Sequence, residues 1–256
     1  MENEKGKSKK VVFCTPFMSE LTQPYIDSMT ASAPLLDQAG WDHSVVYEIG
    51  CPYISAARAK MLRKAMDAQA DVVVFIDYDL SWQPDDLVRL IEKDDPCVAG
   101  TYRYKRDKVE FMGRPFQGPT GRPIGREEDN CVKMFSIPAG FLKITKHAVN
   151  EFMKQYPELL YGDRFAPYVD LFNHGAHQWT WYGEDYAFAR RYNEKVGPIW
   201  LIPDLQLVHN AKVDGKYIPY GGTYDSYLRS LPGGANDSQT NASCSWMDAR
   251  LHTAGS

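Results

Sequence analysis

The stretch VVVFIDYDLSW, residues 72–82, decides the fold. Its first five residues are β-branched or aromatic without polar alternation, the pattern of a strand covered on both faces in the middle of a parallel sheet. The run stops at Asp77 and Asp79, which flank Tyr78, so two carboxylates stand where a buried strand surfaces. Open parallel sheets collect ligands outside the carboxyl ends of their strands. On an extended chain, residues two apart face the same way, and the pair then forms a hard-oxygen site suited to Mn²⁺ or Mg²⁺. An ion held by few protein ligands completes its shell with substrate phosphates, which points to a nucleoside diphosphate. The plainer reading is that the aspartates end a strand and cap a turn.

The neighbouring sequence supplies the sheet. VVFCT (11–15) is a short strand followed by a helical pattern over about 23–39 that stops at Gly40. HSVVYEI (43–49) is a second strand, and Ser55 is the expected cap of an amphipathic helix over 56–70. After the opening stretch, Pro84 with Asp85 and Asp86 starts a helix, and PCVAGTY (96–102) is a fourth strand. Repeated βα units predict a mostly parallel central sheet with helices on both faces. Residues 103–130, rich in Gly, Pro and charge, are a long excursion with a hairpin. CVKMFSI (131–137) and FLKI (141–144) restore strands ahead of a helix over 145–155. A loop rich in aromatics and histidine (168–183) precedes a helix over about 184–195 and the strands PIWLIP (198–203) and LQLVHN (205–210).

Whole-chain numbers narrow the partners. With 256 residues, 44% of them hydrophobic, the chain can bury a sizeable core. A net charge of -4 with interspersed signs gives no polycation signature for duplex DNA or an anionic membrane. No apolar run is long enough for a membrane span or for the apolar region of a signal peptide. Five cysteines without a C-x-x-C pair read as free thiols in a reducing compartment, so a cytoplasmic location is expected, the host cytoplasm for a viral protein. The sequons at Asn236 and Asn241 read as chance matches without a secretory signal.

Four segments now fall in a telling order: ISAARAKML (54–62), DYD with WQPDDL (82–87) behind it, PAGFLKITKHA (138–148), and GEDYAFARR (183–191) with His209 beyond. Together they resemble the D-x-D glycosyltransferases of the GT-A fold, small viral and bacterial members above all, over roughly residues 10–222. Ala59 departs from the pattern, since such sequences often carry Asn there. The resemblance implies a Rossmann-like GT-A domain over 10–230, with a nucleotide-binding half (10–102) and an acceptor-side half (103–230) that holds a small antiparallel and loop region. A flexible N-terminus (1–9) and a flexible C-terminal tail (231–256) flank it. The implied reaction moves a sugar from a nucleoside-diphosphate sugar, expected to be a UDP-sugar, to a hydroxyl of a glycan or other acceptor, with Mn²⁺ or Mg²⁺.

The same resemblance assigns roles. Thr15 and Pro16 line the nucleoside pocket, Arg58 holds base or phosphate, and Tyr78 packs beside the nucleotide. Asp79 binds the metal directly with His209, and Asp77 completes the metal set or meets the ribose. Gly140 lies below the donor sugar. Apart from the resemblance, Tyr102, Arg103 and Lys105 follow the fourth strand, where they either reach the diphosphate or donor sugar or face solvent as charged loop residues do. Asp185 is the base of an inverting displacement and Glu184 orients the acceptor; a retaining outcome stays open. Each residue has a plainer reading beside this one: a solvated helix charge for Arg58, a satisfied loop histidine for His209, helix capping for Glu184 and Asp185. Trp179, Trp181 and Tyr182 are either an aromatic platform for a sugar or base, or core. Three alternatives stand beside the main reading. One is a viral-type transferase acting on a modified DNA base, against which the acidic net charge weighs. Another is a zinc hydrolase built on His174 and His177 with Glu184, Asp185 and His209, against which their loop setting weighs. The third is a module that binds nucleotide or glycan without catalysis.

Overall fold

The structure is a computed structural model that describes residues 9–231. The expected flexible ends therefore lie outside the described residues, apart from Lys9 and Leu231, as do Cys244 and both sequons. β1 (Lys9–Phe17) leads into helix α1 (Gln23–Gln38), and β2 (Trp41–Ile49) into α2 (Ile54–Asp67). β3 (Val72–Ile76) is the apolar run of the opening stretch, and a short β4 (Leu80–Trp82) precedes α3 (Pro84–Glu92) and β5 (Cys97–Ala99). β6 (Arg114–Pro115), β7 (Val132–Ser136), β8 (Phe141–Thr145) and α4 (Lys146–Gln155) follow. Beyond a 3-10 turn come two small hairpins, β9 (Leu160–Gly162) with β10 (Pro167–Val169) and β11 (Gly175–His177) with β12 (Thr180–Tyr182). α5 (Glu184–Lys195), β13 (Ile199–Leu201), β14 (Leu207–Val213), β15 (Lys216–Gly222) and α6 (Tyr224–Ser230) close the described chain.

The main sheet has eight strands in the order β2-β1-β3-β8-β5-β13-β7-β6. β1 pairs in parallel with β2 and β3, and β5 with β13. β8 and β7 run the other way, so the sheet is mixed where the sequence predicts a mostly parallel one. The reason is the excursion after β5. It leaves from the carboxyl end of the sheet and comes back at the same end, where the N–H of Gly100 donates to the carbonyl of Phe141, so β8 must descend between β3 and β5.

Alternate residues of the central strands feed two cores. Val12, Cys14, Val73 and Phe75 face one side with Met61, Leu62, Phe152 and Phe188 from α2, α4 and α5. Val11, Phe13, Val74 and Ile76 face the other with Tyr25, Leu36, Leu87 and Leu90 from α1 and α3. This is the period of two expected of a strand, with helices covering both faces. Each fully buried side chain of this size contributes about 1.5–3 kcal/mol. Helix starts follow capping chemistry in α1 and α4, where Thr22 and Thr145 accept from the N–H groups of Tyr25 and Ala148. α2 corrects the expected Ser55 cap: the cap position is Tyr53, which makes no side-chain bond, and Ser55 is buried in the first turn. No helix among the described residues is long and apolar enough to cross a membrane.

Candidate active site

The two carboxylates of the opening stretch do not lie on extended chain, as the sequence suggests. Asp77, Tyr78 and Asp79 form a turn closed by the N–H of Leu80 donating to the carbonyl of Asp77 at 3.2 Å. The turn sends the two side chains into different groupings. Asp77 stays with the main sheet, its N–H bonded to the carbonyl of Gly140 at 2.9 Å. Its Oδ1 accepts from Arg58 Nη2 at 3.0 Å and its Oδ2 from the Tyr102 hydroxyl at 3.2 Å. Each of its oxygens thus accepts from one protein donor.

Arg58 is buried and not the solvated helix charge of the plainer reading. It bridges the two halves of the sequence, reaching Asp77 on one side and Glu184 Oε1 at 3.2 Å on the other, with its guanidinium 5.0 Å from the Phe172 ring. Burial opposes its charge, yet Asp77, Glu184 and Asp185 outweigh it and hold the guanidinium protonated. Burial and the Asp77 charge push the Tyr102 phenol far up, so it acts as a neutral donor. Gly140 is required here: a Cβ at that position would stand 2.2 Å from the Tyr102 hydroxyl and 2.3 Å from Asp77 Oδ2.

Asp79 belongs to a second, three-stranded sheet of order β15-β14-β4, where His209 pairs with Leu80. That register brings His209 Nε2 to 3.4 Å from Asp79 Oδ2. His209 Nδ1 lies 2.9 Å from the carbonyl of Arg103, and since a carbonyl only accepts, Nδ1 carries a proton. Nε2 then faces the carboxylate with its lone pair, an arrangement that a cation shared between the two would satisfy. The donor set, one imidazole and one carboxylate with its ring fixed from behind, suits a first-row divalent ion. The Lys105 ammonium also contacts Asp79 Oδ2. Burial works to raise the Asp79 carboxyl, but the nearby His209 and the Lys105 ammonium outweigh it and hold it below the usual carboxylate range.

Pro16, Arg58, Asp77, Tyr78, Asp79, Tyr102, Glu184 and His209 line one cleft of about 250 Å³ at the carboxyl end of β1 and β3. Thr15 is not among them. It is fully buried, with its hydroxyl 2.7 Å from that of Tyr25. A larger cavity of about 830 Å³ lies at the opposite end of the strands, against Lys9, Trp41, Asp71 and Lys143, away from the convergent acids. Asp185 follows Glu184 in the first turn of α5, and burial together with the Glu184 charge pushes its carboxyl up to about 6. Trp179 is fully exposed at the tip of the β11–β12 hairpin and Trp181 is largely exposed, so neither is core. Gln178 and Trp179 both have positive φ, the turn geometry that usually takes Asn-Gly. His174 and His177 pack near Trp181 and Tyr182, and no group of three or more metal-ligating side chains forms among the described residues. The zinc centre expected as an alternative therefore does not assemble.

Two residues that position the turn carry no sequence signal of their own. The Thr22 hydroxyl donates to the carbonyl of Tyr78 at 2.7 Å. Asn210, buried beside His209, holds the carbonyl of Asp79 through its N–H at 2.8 Å and its Nδ2 at 3.2 Å, and reaches Ser81 Oγ at 3.1 Å. Adjacency to His209 is the one hint the sequence offers for Asn210.

No protein-family model matches the chain, and no curated protein matches it. Solved structures do. A protein from STIV is similar at 15% identity over 84% of this chain and 95% of that one, with a TM-score of 0.46. The catalytic domain of Drosophila β1,4-galactosyltransferase 7, in complex with xylobiose, is similar at 13% identity over 75% and 64%, with a TM-score of 0.42. A glycosyltransferase involved in glycosylation of the major capsid of PBCV-1 is similar at 11% identity over 56% and 62%, with a TM-score of 0.32. Likeness this shallow says nothing of activity, for which the residues of the cleft have to speak.

Proposed function

We propose that the protein is a metal-assisted glycosyltransferase that moves a sugar from a nucleoside-diphosphate sugar to an acceptor hydroxyl. The observation that carries this reading is the pairing of Asp79 Oδ2 with His209 Nε2, 3.4 Å apart, in a cleft at the carboxyl end of β1 and β3. A carboxylate and an imidazole arranged this way leave most of an ion's shell for phosphate oxygens. Asp79 and His209 would hold Mn²⁺ or Mg²⁺, and the bound ion would neutralise charge on the departing diphosphate.

The chain's own residues do the remaining work. Pro16 and Tyr78 border the nucleoside side of the cleft. Arg58, itself part of the cleft lining, holds the carboxylates of Asp77 and Glu184 in place. Asp185, with its carboxyl pushed up to about 6, is a base near its optimum at neutral pH and takes the proton of the acceptor hydroxyl, the requirement of an inverting displacement. Glu184, held by Arg58, orients that hydroxyl. The exposed Trp179 and Trp181, on the hairpin that runs into Glu184, offer flat apolar faces to an acceptor ring.

Thermal melting with UDP, GDP and TDP and their sugar conjugates, with and without Mn²⁺, tests the reading. A ligand at about 100 times its Kd raises native stability by about 2.7 kcal/mol, so the matching nucleotide raises Tm by several degrees, and only in the presence of Mn²⁺. A folded protein that responds to none of these ligands sinks the proposal.

A further inference from the structure

We infer that Lys105 is an internal counter-cation that stands in for the divalent ion on Asp79 and passes to the nucleotide's diphosphate when the ion binds. The inference rests on the transferase reading and adds to it an order of events and a coupling between two ligands. Its first support is the atom involved. Lys105 contacts Asp79 Oδ2, the same oxygen that faces His209 Nε2 and would ligate the metal. Two cations on one oxygen repel each other, so ion and ammonium are alternatives at that position.

A second support is burial. The Asp79 side chain is only 14% exposed, and a carboxylate so enclosed needs a positive partner whether or not a metal is bound. Lys105 supplies one. Its own side chain is 31% exposed, and its long flexible stem lets the ammonium reach Asp79.

The backbone around it is anchored. Met112 N–H donates to the carbonyl of Tyr102, Tyr104 N–H donates to the carbonyl of Glu110, and the Arg103 guanidinium donates to the carbonyls of Arg106 and Asp107. The Arg103 carbonyl also fixes His209. Exchange therefore moves an ammonium on a flexible stem while the ligand pair stays in register.

The third support is where the displaced charge can go. Glu110 is already paired with Arg106 and Lys108, and the oxygens of Asp77 are taken by Arg58 and Tyr102. The anion that arrives at the cleft together with the metal is the diphosphate. Lys105 then leaves a protein carboxylate for a substrate phosphate, and each ligand lowers the barrier that the other meets. Metal and nucleotide bind with positive coupling that runs through this one side chain.

Titration of the full-length protein with Mn²⁺, followed by calorimetry or by the Mn²⁺ electron paramagnetic resonance signal, with and without UDP, tests the inference on wild type, Lys105→Met and Lys105→Arg. Lys105→Met, which removes the competitor, binds Mn²⁺ alone about tenfold more tightly than wild type, and UDP improves its Mn²⁺ affinity far less than it does for wild type. Lys105→Arg keeps the wild-type coupling. Thermal melts confirm that the variants are folded, as expected for a side chain at the rim. Mn²⁺ affinity in Lys105→Met equal to or weaker than wild type, or UDP coupling that survives intact, overturns the inference and leaves the transferase reading standing. Absence of Mn²⁺ binding in all three proteins, with UDP present, overturns both.

Discussion

Asp185 is ionised at neutral pH against the pull of its surroundings. Burial first, and the Glu184 charge second, raise its carboxyl from 3.8 to about 6. The folded protein therefore binds that proton more tightly than the unfolded chain does. The ionised form weakens the fold above pH 6, and the penalty fades as pH falls through about 6 and is gone below about 4. The shift corresponds to about 2 kcal/mol after allowance for solvent screening. Asp185→Asn is thus expected to melt about 5 °C higher than wild type at pH 8, with the gap closing toward pH 4, while sugar transfer falls by about 100-fold or more. Melting curves across that range and a rate assay check both halves. A constant Tm gap would show that Asp185 carries no such strain. The sequence offers Asp185 and Glu184 as two acids at a helix start. It does not show that Arg58 holds only one of them and leaves the other to be raised by burial.

At the scale of elements, the pairing of β4 with β14 brings His209 beside Asp79, and the sequence shows neither β4 nor that pairing. β4 is three residues long, too short for a periodic pattern, and β15 holds Pro219 and two glycines, which break the look of a strand. The βα units of the first half were readable because each strand is apolar throughout or alternates, and each helix buries one face. The pairing of His209 with Leu80 is a long-range register, and only the tertiary fold sets it. Asn210 stabilises that register by gripping the Asp79 carbonyl. Asn210→Ala keeps the backbone bond but loses the side-chain bonds to Asp79 and Ser81, with an expected loss of about 1–3 kcal/mol and weaker Mn²⁺ binding. Paired melting and Mn²⁺ titration separate the two effects. If stability drops and Mn²⁺ affinity is unchanged, Asn210 braces the fold and not the site.

At the scale of the molecule, the nucleotide-binding and acceptor-side halves expected from sequence share one sheet, because β8 and β13 of the second half flank β5 of the first. Cys14 and Cys97 are buried in one core and Cys131 in the other, and burial pushes all three thiols up. Interleaved strands imply a shared opening transition. Native-state thiol labelling should give Cys14, Cys97 and Cys131 the same opening free energy, with the same denaturant dependence. Distinct values for Cys131 would mean that the halves open separately.

The turn after β3 joins the two sheets of the molecule. Asp77 is tied to the eight-stranded sheet and Asp79 to the three-stranded one, since one is bonded to Gly140 and the other to Asn210. One turn of three residues is thus anchored to two different sheets, and the placement of its two carboxylates depends on both.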